Sequence, residues 1–266
     1  MKLVDIGINL MNSSFDRDRD EVVKAAAEAG VSPLIITGSG EQSSLAAALY
    51  AKSYNAACPG SVYSTAGVHP HEAKNCSAGT IDLLRDIAHY HSGIVAIGEC
   101  GLDYNRDFSP RDVQRLWFVK QLELAAELSL PLFLHERDAF TDFSIILREY
   151  INAVPAAVVH CFTGTADELE YYLDLGCYIG ITGWICDERR GKNLRELVKK
   201  IPKNRLLLET DGPYLLPRDL PFKVRKGRNE SKFLPFVAET VAKLVGKETG
   251  ELAKETVVNT RKAFSI

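Results

Sequence analysis

The sequence predicts an α/β chain closed into a TIM-type (β/α)8 barrel. Its 266 residues are close to the roughly 250 that such a barrel uses. Short apolar runs alternate with longer amphipathic stretches eight times along it, the pattern of a parallel sheet wrapped by helices. Ionisable residues recur at the C-terminal ends of the short runs, the rim where such a barrel carries its chemistry.

The strand candidates are residues 3–8, 33–37, 62–68, 94–98, 132–135, 157–160, 178–182 and 206–209. Most are continuously apolar, as expected of strands buried on both faces. Between them lie the helix candidates. Over 17–30, Val22, Val23, Ala26, Ala27 and Ala29 form an apolar stripe that stops at Gly30. Over 110–129, Val113, Leu116, Trp117, Val119, Leu122, Leu124 and Ala125 recur at helical spacing behind Ser109-Pro110, a cap followed by a first-turn proline. Residues 167–175 end before Gly176, and the stretch after Lys232 reads as one or two final helices. An open doubly wound sheet is the competing topology, and the missing Gly-x-Gly-x-x-Gly after the first strand argues against it. With no linker, internal repeat or low-complexity segment, residues 1–266 read as one domain.

The composition, 46% hydrophobic and 25% charged, excludes disordered, collagenous and coiled-coil classes. A formal net charge of −3 argues against a surface that is basic throughout, though not against a local basic patch. The first residues reach Asp5 before any secretory apolar core can form, and no run approaches a membrane span. The six cysteines contain no Cys-x-x-Cys pair, so they read as free thiols. These features predict a cytoplasmic chain, nuclear if its source is a eukaryote, with no membrane partner.

The rim residues are specific. Strand three ends in Val68-His69-Pro70-His71, strand four in Gly98-Glu99-Cys100-Gly101-Leu102-Asp103-Tyr104, strand five in His135-Glu136-Arg137, strand six in His160-Cys161 and strand eight in Glu209-Thr210-Asp211. A single histidine or glutamate there would be unremarkable; five strand ends together supply mixed nitrogen and oxygen donors for a divalent cation. His89 and His91 fall before strand four, at the opposite rim, and read as structural or solvated. Period two puts Glu209 on the face of Asp211, one layer deeper, and turns Cys100 and Cys161 away from the donors.

Several of these runs, in this order, resemble the signatures of the TatD family of metal-dependent deoxyribonucleases. They are Ser64-Thr65-Ala66-Gly67-Val68-His69-Pro70-His71, Ala96-Ile97-Gly98-Glu99-Cys100-Gly101-Leu102-Asp103-Tyr104, His160-Cys161-Phe162-Thr163-Gly164 and Glu209-Thr210-Asp211-Gly212-Pro213-Tyr214-Leu215. The resemblance implies a barrel of the metal-dependent hydrolase superfamily. It further implies hydrolysis of DNA phosphodiesters as a 3′–5′ exonuclease on single-stranded 3′ ends, with a part in DNA repair or degradation. By it, Glu99, His135, His160 and Asp211 match the metal ligands, with Glu99 and Asp211 catalytic. A bound cation would activate water and stabilise phosphoryl charge while Asp211 takes a proton. His69, His71, Asp103, Tyr104, Arg137 and Asn9 are the substrate-side candidates. Much of the family carries His-x-His at the end of strand one, where this chain reads Gly7-Ile8-Asn9. Fewer imidazoles favour Mg²⁺, with Mn²⁺ or Zn²⁺ as alternatives.

An acidic chain must contact DNA locally. The candidates are Arg189, Arg190, Lys192 and Arg195 after strand seven, and Arg218, Lys223, Arg225, Lys226 and Arg228 after strand eight, with Trp184 and Tyr214 for stacking on bases. The competing enzyme class is an amidohydrolase-type enzyme of the same barrel acting on a small amide, ester or lactone.

Overall fold

In a computed structural model, which describes residues 1–189 and 191–266, eight parallel strands stand in sequential order. They are β1 (Leu3–Ile8), β2 (Val31–Ile36), β3 (Val62–Ala66), β4 (Ile94–Asp103), β5 (Leu132–Arg137), β6 (Ala157–Val159), β7 (Tyr178–Ile181) and β8 (Leu206–Leu208). The last returns to the first: Asp211 N–H donates to the Gly7 carbonyl at 2.8 Å and Asn9 N–H to that of Gly212 at 2.7 Å. The barrel is thereby closed, and the competing open sheet is excluded.

The helices are α1 (Arg19–Glu28), α2 (Glu41–Ala57), α3 (Thr80–Tyr90), α4 (Arg111–Leu128), α5 (Phe140–Tyr150), α6 (Ala166–Asp174), α7 (Lys192–Leu197), α8 (Leu234–Val245) and α9 (Thr249–Phe264). None among the described residues is long and apolar enough to cross a membrane. The last βα unit carries two helices, and Ala263 and Phe264 of the second join an inner core of Val4, Ile6, Ile35, Phe133, Val158 and Leu207. A larger core, with Leu34, Ile97, Phe118, Leu134, Phe143 and Val237, holds the helices to the outside of the strands. Phe133, its ring centroid 4.7 Å from that of His160 and 6.4 Å from that of Phe264, forms the floor between the sealed end and the open rim.

The largest departure from the predicted elements is β4, which runs five residues beyond the expected Gly98. Gly98 and Gly101 adopt φ +138° and +146°, and a Cβ on either would collide with the β5 backbone at Phe133 or His135. Two glycines in this left-handed region let the strand stay paired to Asp103. In sequence the apolar run 94–97 is interrupted by Gly98, Glu99 and Gly101, and the expected strand stops there. The extension places Glu99 and Asp103 inside while Cys100 and Leu102 join the outer core.

Candidate metal centre and active site

Glu99 is the hub of the rim. One carboxylate oxygen, Oε1, lies 2.7 Å from His160 Nε2, 3.0 Å from His135 Nδ1 and 3.4 Å from His69 Nε2. Donor atoms of His69, Glu99 and His135 all fall within 4.8 Å of one another. Burial alone would push Glu99 up, but the surrounding imidazoles outweigh it and hold the carboxyl well below its usual range. Burial would likewise lower His160, yet Glu99 and Glu209 draw it well above an ordinary histidine. The electrostatic demand of this cavity is for positive charge.

The imidazoles around Glu99 are held in different ways. His160 Nδ1 lies 3.3 Å from Glu209 Oε2, so in the neutral ring, with Nδ1–H serving that carboxylate, Nε2 carries the lone pair. His135 points Nδ1 at Glu99 and Nε2 towards Asp103 Oδ2 at 3.4 Å. That second approach lacks hydrogen-bond alignment, and His135 Nε2 is a buried atom with no hydrogen-bond partner. A carboxylate hub, two imidazoles held by carboxylates and one orphaned ring nitrogen are the donor chemistry of a divalent cation site. The residues fit such an ion.

His69 is built differently. Its Nδ1 accepts the His71 backbone N–H at 3.0 Å, leaving Nε2 as the protonated nitrogen of the neutral ring. Burial, against the pull of Glu99, lowers its pKa to about 3, so the ring is neutral at ordinary pH. Although it stands within the donor cluster, His69 presents an N–H rather than a lone pair.

Asp211 stands at the mouth of β8 with φ +56°. Burial raises its pKa to about 7, with His160 opposing and Glu99 and Glu209 adding to the rise. Asn9 donates its side-chain amide to Asp211 Oδ1 at 2.8 Å. The strand-one position that lacks histidine thus holds this aspartate. Gly7, the other half of the missing His-x-His, makes space: a Cβ there would stand 2.6 Å from Glu209 Oε2, and one at Gly180 would collide with Glu209 Oε1.

The remaining candidates divide. His71 Nε2 reaches Asp103 Oδ2 at 2.7 Å; Asp103, which burial would raise, is held far below its usual range by His135, His71 and the Arg106 N–H. Arg137 is half-buried and lines a cavity of about 590 Å³ with Thr163, Trp184 and Asn193. Tyr104 is not brought to the cluster. Its hydroxyl donates to Asp142 at 2.6 Å and accepts from Arg115 at 3.1 Å, tying α4 to α5. Cys161 also departs from the period-two expectation, because β6 stops at Val159 and the chain turns through φ +47°. Its N–H donates to Glu209 Oε1 at 2.5 Å and its thiol faces Thr182 at 3.8 Å. Burial and the nearby carboxylates of Asp211 and Glu209 keep that thiol protonated.

A profile of TatD-related DNases matches residues 4–265. The chain belongs to the TatD-related DNase family. It is 51% identical over 264 residues to a 3′-5′ ssDNA/RNA exonuclease TatD of Erwinia tasmaniensis, covering 99% of this chain and 100% of that one. To the protein of the same name in Escherichia coli K12 it is 46% identical, with 99% of each chain covered. Among solved structures, a TatD-family hydrolase from Entamoeba histolytica superposes with a TM-score of 0.90 at 27% identity, covering 99% of this chain and 98% of that one.

Of the basic residues that could serve a TatD-family chain on nucleic acid, several are already engaged. Arg228 pairs with Asp18 at 2.6 Å and Glu230 at 2.9 Å. Arg218 Nε lies 3.0 Å from Asp187, Arg189 Nε 4.0 Å from it, and Arg195 donates to the Ile185 carbonyl at 3.2 Å. Lys192, Lys223 and Lys226 are exposed. Arg190 and the side chain of Arg225 lie outside what the structure describes. Trp184 is half-buried against the outer core, and Tyr214, though 53% exposed, accepts a hydrogen bond from Asn12 at 3.2 Å. Two residues escaped the sequence reading. Asp5 is buried beneath Thr210, and the available signal was an acid inside the apolar run Leu-Val-Asp-Ile. Phe108 stands in the loop after β4, with no signal beyond its place in a rim loop.

Proposed function

We propose that this chain is a divalent-metal-dependent 3′–5′ exonuclease acting on single-stranded DNA or RNA. The observation that carries the reading is the gathering of three imidazoles on Glu99 Oε1, with Asp211 beside them at the open end of the barrel. The names of the full-length relatives support the substrate class, and they widen it from the DNA expected of the sequence to RNA as well.

Glu99, His135, His160 and Asp211 are the proposed ligands, and the absence of the strand-one His-x-His pair, which leaves fewer imidazoles beside two carboxylates, favours Mg²⁺ over Mn²⁺ or Zn²⁺. A bound cation supplies Lewis acidity and neutralises charge on the phosphoryl oxygens. The chain's own groups do the rest. Asp211, with Oδ1 held by Asn9, takes the proton of the attacking water at Oδ2. His69, neutral and protonated at Nε2, donates a hydrogen bond to a phosphoryl oxygen and has no proton to give up. Glu209 fixes the tautomer of His160, and Asp103 fixes the ring of His71. Arg137 is placed for a phosphate farther along the strand.

The test is a 5′-labelled single-stranded oligonucleotide incubated with Mg²⁺ or Mn²⁺. A ladder shortening from the 3′ end and abolished by EDTA is expected; an intact strand under both metals overturns the reading.

A further inference from the structure

Phe108 stands on the rim 55% exposed, although Ser109 beside it is fully buried. The loop that carries it is held from both sides. Asp103 Oδ1 accepts the N–H groups of Asn105 at 3.0 Å and Arg106 at 2.8 Å. Ser109 accepts the Lys74 N–H at 3.1 Å and donates to the His71 carbonyl at 2.9 Å. Buried Gln114 donates to the Ser109 carbonyl at 2.8 Å. Exposure of the ring is therefore a fixed presentation, and a pre-formed contact surface loses little entropy when it is used.

The ring also has direction. Its centroid lies 4.7 Å from that of His71, edge-on, and His71 lies 4.2 Å from His69. A row of rings leads from solvent to the donor cluster. Among the described residues the other exposed rim aromatics, Tyr214 and Phe222, make no ring contact with the histidines of the donor cluster. Tyr214 is tied to Asn12, and Phe222 packs against Phe233 and Phe236 at 6.0 and 5.8 Å. Arg106, two residues before Phe108, is exposed and makes no ion pair with a described carboxylate.

Resting on the nuclease reading above, we propose that Phe108 is the platform on which a nucleobase of the single-stranded substrate stacks, close to the bond that is cut, with Arg106 beside the adjoining phosphate. Stacking on an aromatic face tolerates any base, because every base has a π-face. It also discriminates against duplex, whose bases are already stacked and paired and are costly to extract. A base seated on Phe108 would place its own phosphate inward, towards His71 and His69.

The experiment is a cycle between protein and substrate. Wild type and Phe108→Ala are each assayed on 5′-labelled oligonucleotides in which one of the 3′-terminal nucleotides, in turn, is abasic. The expected result is that Phe108→Ala raises KM by on the order of 5- to 150-fold, more than it lowers kcat, and that Phe108→Trp restores it. One abasic position should cost wild type a similar factor and cost Phe108→Ala nothing further. An unchanged KM in Phe108→Ala, or losses that multiply at every abasic position, overturns the proposal while leaving the nuclease reading intact. A wild-type protein that cuts no strand with any metal overturns the nuclease reading, and this proposal with it.

Discussion

His160 is held at both ring nitrogens, with Nδ1 3.3 Å from Glu209 Oε2 and Nε2 2.7 Å from Glu99 Oε1. The first contact decides what the second can do. In the neutral ring, with Glu209 accepting from Nδ1–H, Nε2 offers a lone pair. In Glu209→Gln the amide keeps its oxygen on the Cys161 N–H and turns its NH₂ to the ring, so Nδ1 becomes the acceptor and Nε2 carries the proton. Affinity for Mn²⁺, measured by calorimetry, is expected to fall on the order of 10- to 100-fold with the circular dichroism unchanged. Equal affinity would mean that Glu209 does not set the tautomer.

Glu209 has its position because two strands leave room for it. A methyl group at Gly7 would stand 2.6 Å from Glu209 Oε2, and one at Gly180 would collide with Oε1 and stand 3.2 Å from the His160 Cα. Overpacking of this kind costs about 1–3 kcal/mol. Gly7→Ala and Gly180→Ala are each expected to lower the melting temperature and weaken metal binding together. Gly60→Ala, whose nearest neighbour would be a tyrosine hydroxyl at 3.7 Å, should leave metal binding alone.

How far the sequence could be read follows from the same residues. Strand ends were legible because a parallel strand buried on both faces is a short apolar run, and an ionisable residue closing it stands out. Glu99, His135, His160 and Asp211 emerged that way. The partners that orient them were less legible, since they depend on registers that no spacing rule supplies. Gly7 read as an empty ligand position, yet it is the space for Glu209. Asn9 read as a substrate-side residue, yet it holds Asp211. Tyr104 read as facing the substrate because β4 seemed to end at Gly98; with the strand carried on to Asp103, Asp103 points inward and Tyr104 outward to Asp142.

Asp211 is the proton acceptor in the proposed reaction, and burial sets its pKa at about 7. The active base form fills as pH rises through that value, so the rate should climb along an acid limb and level off above it. A cation beside the carboxylate moves the limb to lower pH. Asp211→Asn is expected to lower kcat by on the order of 10²- to 10⁴-fold and to abolish the limb. A variant that kept the limb would assign it to another group.

Asp5 gives a pH dependence of stability instead. Burial raises its pKa to about 6 against hydrogen bonds from Thr210, Ser231 and Gly7. Its folded value lies above its unfolded one, so the native state binds the proton more tightly. The Asp5 contribution to stability is greatest below the unfolded value of 3.8 and declines as pH rises to about 6. Asp5→Asn removes this titration. Denaturant melts at pH 7.5 and pH 5 should show wild type gaining on the variant as the solution is acidified. A constant difference would place the Asp5 proton elsewhere.

Arg228 and Lys226 lie two residues apart in the loop after β8, and they should respond differently to salt. Arg228 donates to both carboxylate oxygens of Asp18, at 2.8 and 2.6 Å, and to the Ser14 carbonyl at 2.7 Å, with its guanidinium 4.9 Å above the Phe15 ring. Its charge is spent on joining this loop to the segment before α1, so Arg228→Gln should cost on the order of 1 kcal/mol of stability and leave the salt dependence of KM unchanged. Lys226 and Lys223 are exposed. On a single strand, each lysine that neutralises a phosphate contributes about 0.7 to the slope of log affinity against log salt. Removing both should flatten the slope without moving the melting temperature. If Arg228→Gln flattened the slope and the lysine variants did not, the strand would run on the β1 side of the loop, and Arg228 would leave Asp18 to bind it.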